Sequence, residues 1–96
     1  MTSQRFTPDM YLNASLRGRF FRRENEVNFI YEVKGIDDRG TIVCDCHTAE
    51  KGRYGNLRDQ KLYLQDFVTE KLIEATLDEI HTIKSGLELK ALEEKV

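Results

Sequence analysis

With 96 residues, the chain has the length of one domain and is too short for two domains with separate cores. Hydrophobic residues make up 40% and charged residues 33%, which argues against disorder, and no apolar run is long enough to span a membrane. The formal net charge of −2 argues against a general polyanion binder. Because the N-terminus lacks a signal-like segment, we expect a cytoplasmic protein with reduced cysteines.

Charge is distributed unevenly along the chain. Residues 1–24 carry five arginines and two carboxylates, a net of +3, whereas residues 66–96 carry four lysines and eight carboxylates, a net of −4. The two regions are either solvated faces of opposite sign or surfaces that meet, within one subunit or between two.

The first two thirds of the chain have the alternation of β-strands. Residues 1–13 are expected to form an N-terminal arm and residues 15–67 an antiparallel meander of three to four strands. The strands are expected at 15–23, 27–34 and 41–47, with a weaker one at 60–67. A hairpin turn is predicted at "GIDDRG", residues 35–40, and a flexible loop at 48–59.

The last third changes to a helical period. Apolar residues recur at Leu72, Ile73, Leu77, Ile80 and Ile83. This spacing predicts an amphipathic helix over 69–85, with Asp66 or Thr69 as N-cap and a stop at Gly86. Residues 87–96 form a second short helix or a tail. The fold class is therefore α+β, either an open sheet covered by a helix or an SH3-like or OB-like partial barrel.

Two cysteines lie close together in the third predicted strand. Strand alternation places Cys44 and Cys46 on one face with Ile42, and His47 on the other. A structural zinc site needs a second ligand pair, which the sequence lacks, and an i, i+2 pair on a flat strand is poorly placed for a disulfide. We interpret the thiols as packing material and predict no metal and no cofactor, with metal and redox chemistry as the alternatives.

One basic, aromatic stretch is the main candidate binding surface. In "LRGRFFRR" alternation puts four such residues on one predicted face: Arg17, Arg19, Phe21 and Arg23. The predicted loop extends this set with Lys51, Arg53, Tyr54 and Arg58. Arginine and aromatic residues are typical of protein-binding hot spots, of nucleic-acid surfaces and of charged edge strands that resist aggregation.

The predicted helix offers a second surface. Its apolar stripe is wider than one contact needs, so we expect part of it to meet a partner helix and favour a homo-oligomer. The residues of this interface hypothesis are Ile73, Ile80, Ile83 and Leu87.

No nucleophile–base constellation is visible, so no catalytic residue is assigned. The sequence favours a small non-enzymatic protein-interaction module, an adaptor or accessory subunit, whose partner is another protein or a second copy rather than a membrane. A nucleic-acid binder is the first alternative. A small-ligand sensor or enzyme is the second, and it requires a pocket lined by Tyr31, His47 and Tyr63.

Overall fold

The computed structural model describes residues 8–12 and 16–88, which form an antiparallel sheet with short helices. The elements in chain order are α1 (Pro8–Leu12), β1 (Phe20–Arg22), β2 (Phe29–Ile36), β3 (Ile42–Glu50), β4 (Arg53–Leu62), α2 (Leu64–Thr69), β5 (Ile73–Glu74) and α3 (Leu77–Lys84). The strand order is β4-β3-β2-β1-β5, and every neighbouring pair is antiparallel. The α+β class and the meander are confirmed. Within the described residues, no helix is long and apolar enough to cross a bilayer.

The hairpin between β2 and β3 has the turn that the sequence predicts. The side chain of Asp37 accepts hydrogen bonds from the backbone N–H groups of Arg39 and Thr41, both at 2.9 Å. Gly40 closes the turn with a φ of +79°, which glycine adopts without the strain of a β-carbon. The hydroxyl of Tyr11 in α1 donates to the Gly40 carbonyl at 2.8 Å, so the turn also holds α1 against the sheet.

The sheet separates two apolar clusters. On one face, α1 and α2 cover the first cluster, whose buried members are Met10, Leu16, Phe21, Tyr31, Val33, Ile42, Cys44, Cys46, Phe67 and Leu72. On the other face, α3 covers a smaller cluster of Ile30, Ala49, Ala75, Ile80 and Ile83. Successive strand residues point to opposite faces, so each central strand contributes to both clusters.

The predicted loop at 48–59 is instead part of a long hairpin. Lys51 and Gly52 both have positive φ values, 51° and 74°, as in a two-residue type I′ turn between β3 and β4. Strand β4 then runs for ten residues, eight of them exposed. Its polar composition hides the strand from an alternation analysis, because neither face of β4 needs a continuous apolar row.

The predicted helix over 69–85 is replaced by three shorter elements. Lys71 has a φ of 52°, which interrupts helical continuation after α2, and Ile73 then pairs with Arg22 of β1. The sheet edge therefore uses apolar residues that the helical period assigned to a helix. Thr76 begins α3 as its N-cap, and the expected stop at Gly86 is confirmed by its φ of +79°. The predicted cap Asp66 lies inside α2, where its carboxylate accepts from the Tyr63 N–H at 3.1 Å.

The basic front and the acidic C-terminal region meet within the chain. Arg19 pairs with Glu74 at 3.3 Å, Arg22 with Glu79 at 2.8 Å and Arg23 with Glu70 at 2.7 Å. These pairs join β1 and the residues flanking it to β5, α3 and the end of α2. The Arg22–Glu79 pair is the least exposed of the three, so solvent screens it least.

The capping box of α3 gives a stability test. Thr76 Oγ1 accepts from the Glu79 N–H at 3.2 Å, and Glu79 Oε1 accepts from the Thr76 N–H at 2.9 Å. Thr76→Ala removes this cap and should lower the free energy of unfolding by about 1 kcal/mol, measured by urea unfolding followed by circular dichroism. The control Thr69→Ala, at the exposed end of α2, should change it by less than about 0.5 kcal/mol. Equal losses in both variants would contradict the assignment.

Candidate functional site

The β1 part of the predicted binding surface is only partly available. Phe21 is 0% exposed and packs edge-to-face on Phe67, with ring centroids 5.8 Å apart. This corrects the expectation that Phe21 stands on an exposed arginine face. Phe21 is buried because it lies in the middle of the three-residue strand β1 and its side chain points into the larger apolar cluster.

The arginines around β1 differ in how many carboxylates pair with them. Arg23 pairs with Glu70 and Glu26, its hydrogen bonds to both carboxylates raise the pKa of its guanidinium, and its charge lies 5.9 Å from the Tyr31 ring centre. Arg19 is engaged by Glu74. Arg17 is exposed. Three strand spacings, about 14 Å, separate β1 from β4, so the two halves of the predicted surface do not form one patch.

The β3–β4 hairpin, in contrast, brings together the other half of the predicted set. Lys51, Arg53, Tyr54 and Arg58 lie on its turn and its second strand, and all four are exposed. In the part of the chain that the structure describes, β4 has β3 as its only strand neighbour. Gly86 packs against the backbone of Gly52 and Tyr54 at the start of β4, and the outer side of the strand after Tyr54 is the longest backbone edge of the described sheet without a strand neighbour.

Beneath Tyr54 lies a polar network that the sequence analysis missed. His47 is 5% exposed and joins two strands: its Nε2 lies 2.7 Å from Glu32 Oε1 on β2, and its Nδ1 contacts the Tyr54 hydroxyl on β4. Asn56 Nδ2 lies 3.2 Å from both His47 Nδ1 and the Tyr54 oxygen. The imidazole also stacks on the Tyr54 ring, with centroids 5.7 Å apart.

The strand register explains why these groups meet. His47 is directly opposite Asn56, whereas Glu32 is opposite Asp45 and Tyr54 is opposite Ala49. Glu32 and Tyr54 are therefore diagonal neighbours of His47 on one face, a distance that long side chains bridge. Only the pairing of β4 with β3 reveals this cluster, and the sequence pattern of residues 48–59 indicated a loop there.

The helix surface of the interface hypothesis is mostly used inside the chain. Ile80 and Ile83 are 8% and 0% exposed because α3 packs them against the sheet. This corrects the expectation that they face a partner. Ile73 is half-buried in β5, and Leu87 is the only one of the four that is largely exposed, at 59%.

The two cysteines are free and lie within the larger cluster. Cys44 is 0% and Cys46 3% exposed, in agreement with the shared face expected for them and Ile42. Burial raises the pKa of the Cys44 thiol to about 12 and that of Cys46 to about 11, and the charge of Asp45 adds to both shifts. A thiol acts as a nucleophile or metal ligand in its thiolate form, so this environment suppresses such chemistry.

The pocket required by the ligand-sensor alternative is not assembled from its three predicted residues. Tyr31 packs in the cluster beneath α2, His47 lies on the opposite face, and Tyr63 is 67% exposed before α2. A cleft of about 400 Å³ occurs elsewhere, between residues 25–29 and 48–50, with Glu88 at its rim. Among the described residues, no three histidine, cysteine or carboxylate side chains are grouped to hold a metal ion.

Comparisons with protein-family models, with curated proteins and with solved structures found no match to this chain. The β3–β4 hairpin and the polar network beneath it are therefore the candidate functional site.

The buried thiols predict a loss of stability at alkaline pH. In the unfolded chain the thiols lose their protons near the ordinary value of 9.0, whereas the folded chain keeps them until its raised pKa values of about 12 and 11. The stabilising contribution is therefore complete below pH 9 and is lost as the pH rises through the folded values. We expect urea unfolding at pH 8, 9 and 10 to give a falling free energy of unfolding.

The double variant Cys44→Ala/Cys46→Ala is the control. It has lower stability at pH 8 because the substitutions leave small cavities, but its free energy should fall less between pH 8 and pH 10. The measurement stops at pH 10 because burial also raises the pKa of Tyr31, from 10.0 to about 12. Identical slopes in the two proteins would show that the thiols do not cause the alkaline loss.

Proposed function

We propose that this chain is a protein-interaction module that binds an acidic, extended polypeptide segment along the outer edge of β4. The main support for this proposal is the ten-residue strand β4. It has β3 on one side and, in the part of the chain that the structure describes, no strand on the other. An extended segment can add to such an edge as a further strand, with backbone hydrogen bonds giving affinity and side chains giving specificity.

The charge of β4 favours an acidic partner. The strand carries three cations and one carboxylate, a net charge of +2 on ten residues: Arg53, Arg58, Lys61 and Asp59. Lys61 lies 3.7 Å from Asp37 and remains 66% exposed, so this contact leaves most of it accessible. A partner segment rich in glutamate or aspartate would offset this excess, whereas a second copy of β4 would double it.

A bulge in β4 further disfavours self-pairing. Asp59 has a φ of 54°, its N–H donates to Asp45 Oδ1 at 3.1 Å, and the β3–β4 register shifts between Cys44 and Cys46. The same hydrogen bond lowers the pKa of the Asp45 carboxyl, so Asp45 is a charged acceptor that fixes the bulge. Bulges and cations are common protections of a sheet edge against a second copy. Gly86 packs against the backbone of Gly52 and Tyr54, so the regular segment 55–57 remains for a partner strand.

Two exposed apolar groups flank this segment on opposite faces. Tyr54 is 41% and Leu57 54% exposed, and their odd spacing along β4 directs them to the two sides of the sheet. A bound strand would cover part of both, so side chains on either face of the partner contribute to recognition. An SH3-like or OB-like assignment of the sheet would not change this function, because a fold class alone does not define one.

The same hairpin cations are the reason to test nucleic acid. A single-stranded nucleic acid could place its phosphates against Lys51, Arg53 and Arg58 and stack a base on Tyr54. The peptide is favoured because the exposed feature is a strand edge, whose hydrogen-bonding groups match a polypeptide backbone.

A defined peptide tests the proposal by fluorescence anisotropy. The probe is a rhodamine-labelled decapeptide of alternating glutamate and threonine, and the control probe has glutamine in place of glutamate. Wild-type protein should bind the acidic probe more tightly. The double reversal Arg53→Glu/Arg58→Glu should weaken this binding by about tenfold, because it replaces attraction by repulsion at two edge positions.

The matched control reverses two exposed arginines that lie outside β4 and away from residues 53–58; Arg39 shares a cleft with Lys61 at the far end of the strand. Arg17→Glu/Arg39→Glu changes the net charge equally and should leave peptide affinity within about twofold. A third probe, the acidic peptide N-methylated at alternate residues, keeps the charge but cannot complete a strand ladder and should not bind. Equal binding of the methylated probe, equal losses in both variants, or retention of oligonucleotides in place of the peptide would overturn the proposed function.

A further inference from the structure

We infer that Tyr54, supported by His47 and Glu32, is a proton-linked hydrogen-bond site for a carboxylate of the docked segment. This inference rests on the proposed function, because it names one group of the β4 edge and the ligand chemistry that the group recognises. Tyr54 is 41% exposed, whereas the side chain of His47 is 6% exposed. His47 therefore acts on a partner only through Tyr54.

With a neutral imidazole, the network assigns every hydrogen. Glu32 is an acceptor, so His47 carries its proton on Nε2 and donates it across 2.7 Å. Nδ1 then accepts, and the Tyr54 hydroxyl donates to it. Asn56 Nδ2 lies 3.2 Å from the Tyr54 oxygen and donates there. In this state the hydroxyl has no hydrogen to offer a partner and presents only a remaining lone pair, which repels a carboxylate.

With a protonated imidazole, the direction of one bond reverses. Both ring nitrogens of His47 are then donors, so Nδ1 donates to the Tyr54 oxygen while Nε2 still donates to Glu32. The Tyr54 oxygen accepts from His47 and Asn56, and its own hydrogen is released for an outside acceptor. A carboxylate is the acceptor expected to gain most, because hydrogen bonds to charged groups are stronger than neutral ones.

Charged groups around His47 determine whether this switch can operate. On β2, the carboxylate of Glu32 contacts the ring directly, and 30% of its side chain is exposed. On β3, Asp45 lies two residues from His47 on the same face, but Lys34 at 3.5 Å and the Asp59 N–H already engage it. Opposing them, the ammonium group of Lys84 on α3 lies 5.6 Å from the Phe20 ring, which is 6.2 Å from the imidazole.

On β4, Arg58 adds positive charge near Asp45, whereas Tyr54 and Asn56 are neutral partners. The carboxylate of Glu32 is therefore in direct contact with the imidazole, whereas the cations lie farther away and do not contact the ring. Binding an acidic segment adds further negative charge above Tyr54, so peptide binding and proton uptake by the network should reinforce each other.

The test measures affinity for the alternating glutamate–threonine decapeptide between pH 8 and pH 6, a range in which histidines change charge. Wild-type affinity should rise by roughly tenfold toward pH 6, which corresponds to one charged hydrogen bond. Tyr54→Phe retains the ring but lacks the hydroxyl and should bind with little pH dependence. Calorimetry at pH 7 in two buffers of different ionisation enthalpy should show proton uptake by wild type and not by Tyr54→Phe.

Two controls separate this site from other causes. His81→Gln removes the only other histidine, which is exposed on α3, and should leave the pH dependence intact, as should Tyr63→Phe. Glu32→Gln should reduce the pH effect because it removes the charge that stabilises the protonated ring. Binding of equal affinity at both pH values, or the same pH dependence in Tyr54→Phe, would overturn the site while the docking edge stands. Absence of peptide binding at every pH would instead overturn the proposed function.

Discussion

The structure depends on the alternation of side chains along β3. This strand has one neighbour on each side and contributes to both faces of the sheet: Cys44 and Cys46 pack beneath the first helices, and Ala49 packs beneath α3. A register slip of one residue would exchange Asp45 and His47 with the two thiols. Because it would bury a carboxylate among apolar side chains and expose the packing residues, the slip is strongly disfavoured.

The same alternation separates the chemistry of the two faces. The thiols point to the side that α1 and α2 close, where burial keeps them protonated. His47 points to the side that α3 covers only in part, where Glu32, Tyr54 and Asn56 satisfy both of its ring nitrogens. A buried imidazole without partners would be costly, so this network first stabilises the fold. Its contact with the exposed phenol of Tyr54 is the basis of the carboxylate site that we propose.

Sequence patterns anticipated the features that depend on local periodicity. The β2–β3 hairpin, the shared face of Ile42 and the cysteines, and the stop at Gly86 all follow from residues close together in the chain. The extent of β4 did not follow, because an exposed edge strand has no apolar row to mark it. The predicted helix over 69–85 failed because β1 recruits Ile73 as a strand, a contact across about fifty residues that periodicity cannot detect.

The candidate site shows the same limit. Exposure of Tyr54 and of the two β4 arginines, Arg53 and Arg58, was predictable from the polar sequence around them. Burial of Phe21 required knowing that β1 faces Phe67. The Glu32–His47–Tyr54 network requires the register of three strands at once. Patterns that repeat within one element identified the candidates, and only tertiary pairing decided which of them are accessible.

The two borders of the sheet are unequal, and this limits what the molecule can build. One border is the long β4, and the other is β5, which has two residues and is joined to its surroundings by Arg19 and Glu74. So short a strand gives little template for another chain. Under the strand addition that we propose, growth would therefore end after a single event, because the described sheet has only one long border. The assembly would be a closed one-to-one complex rather than an open-ended fibre.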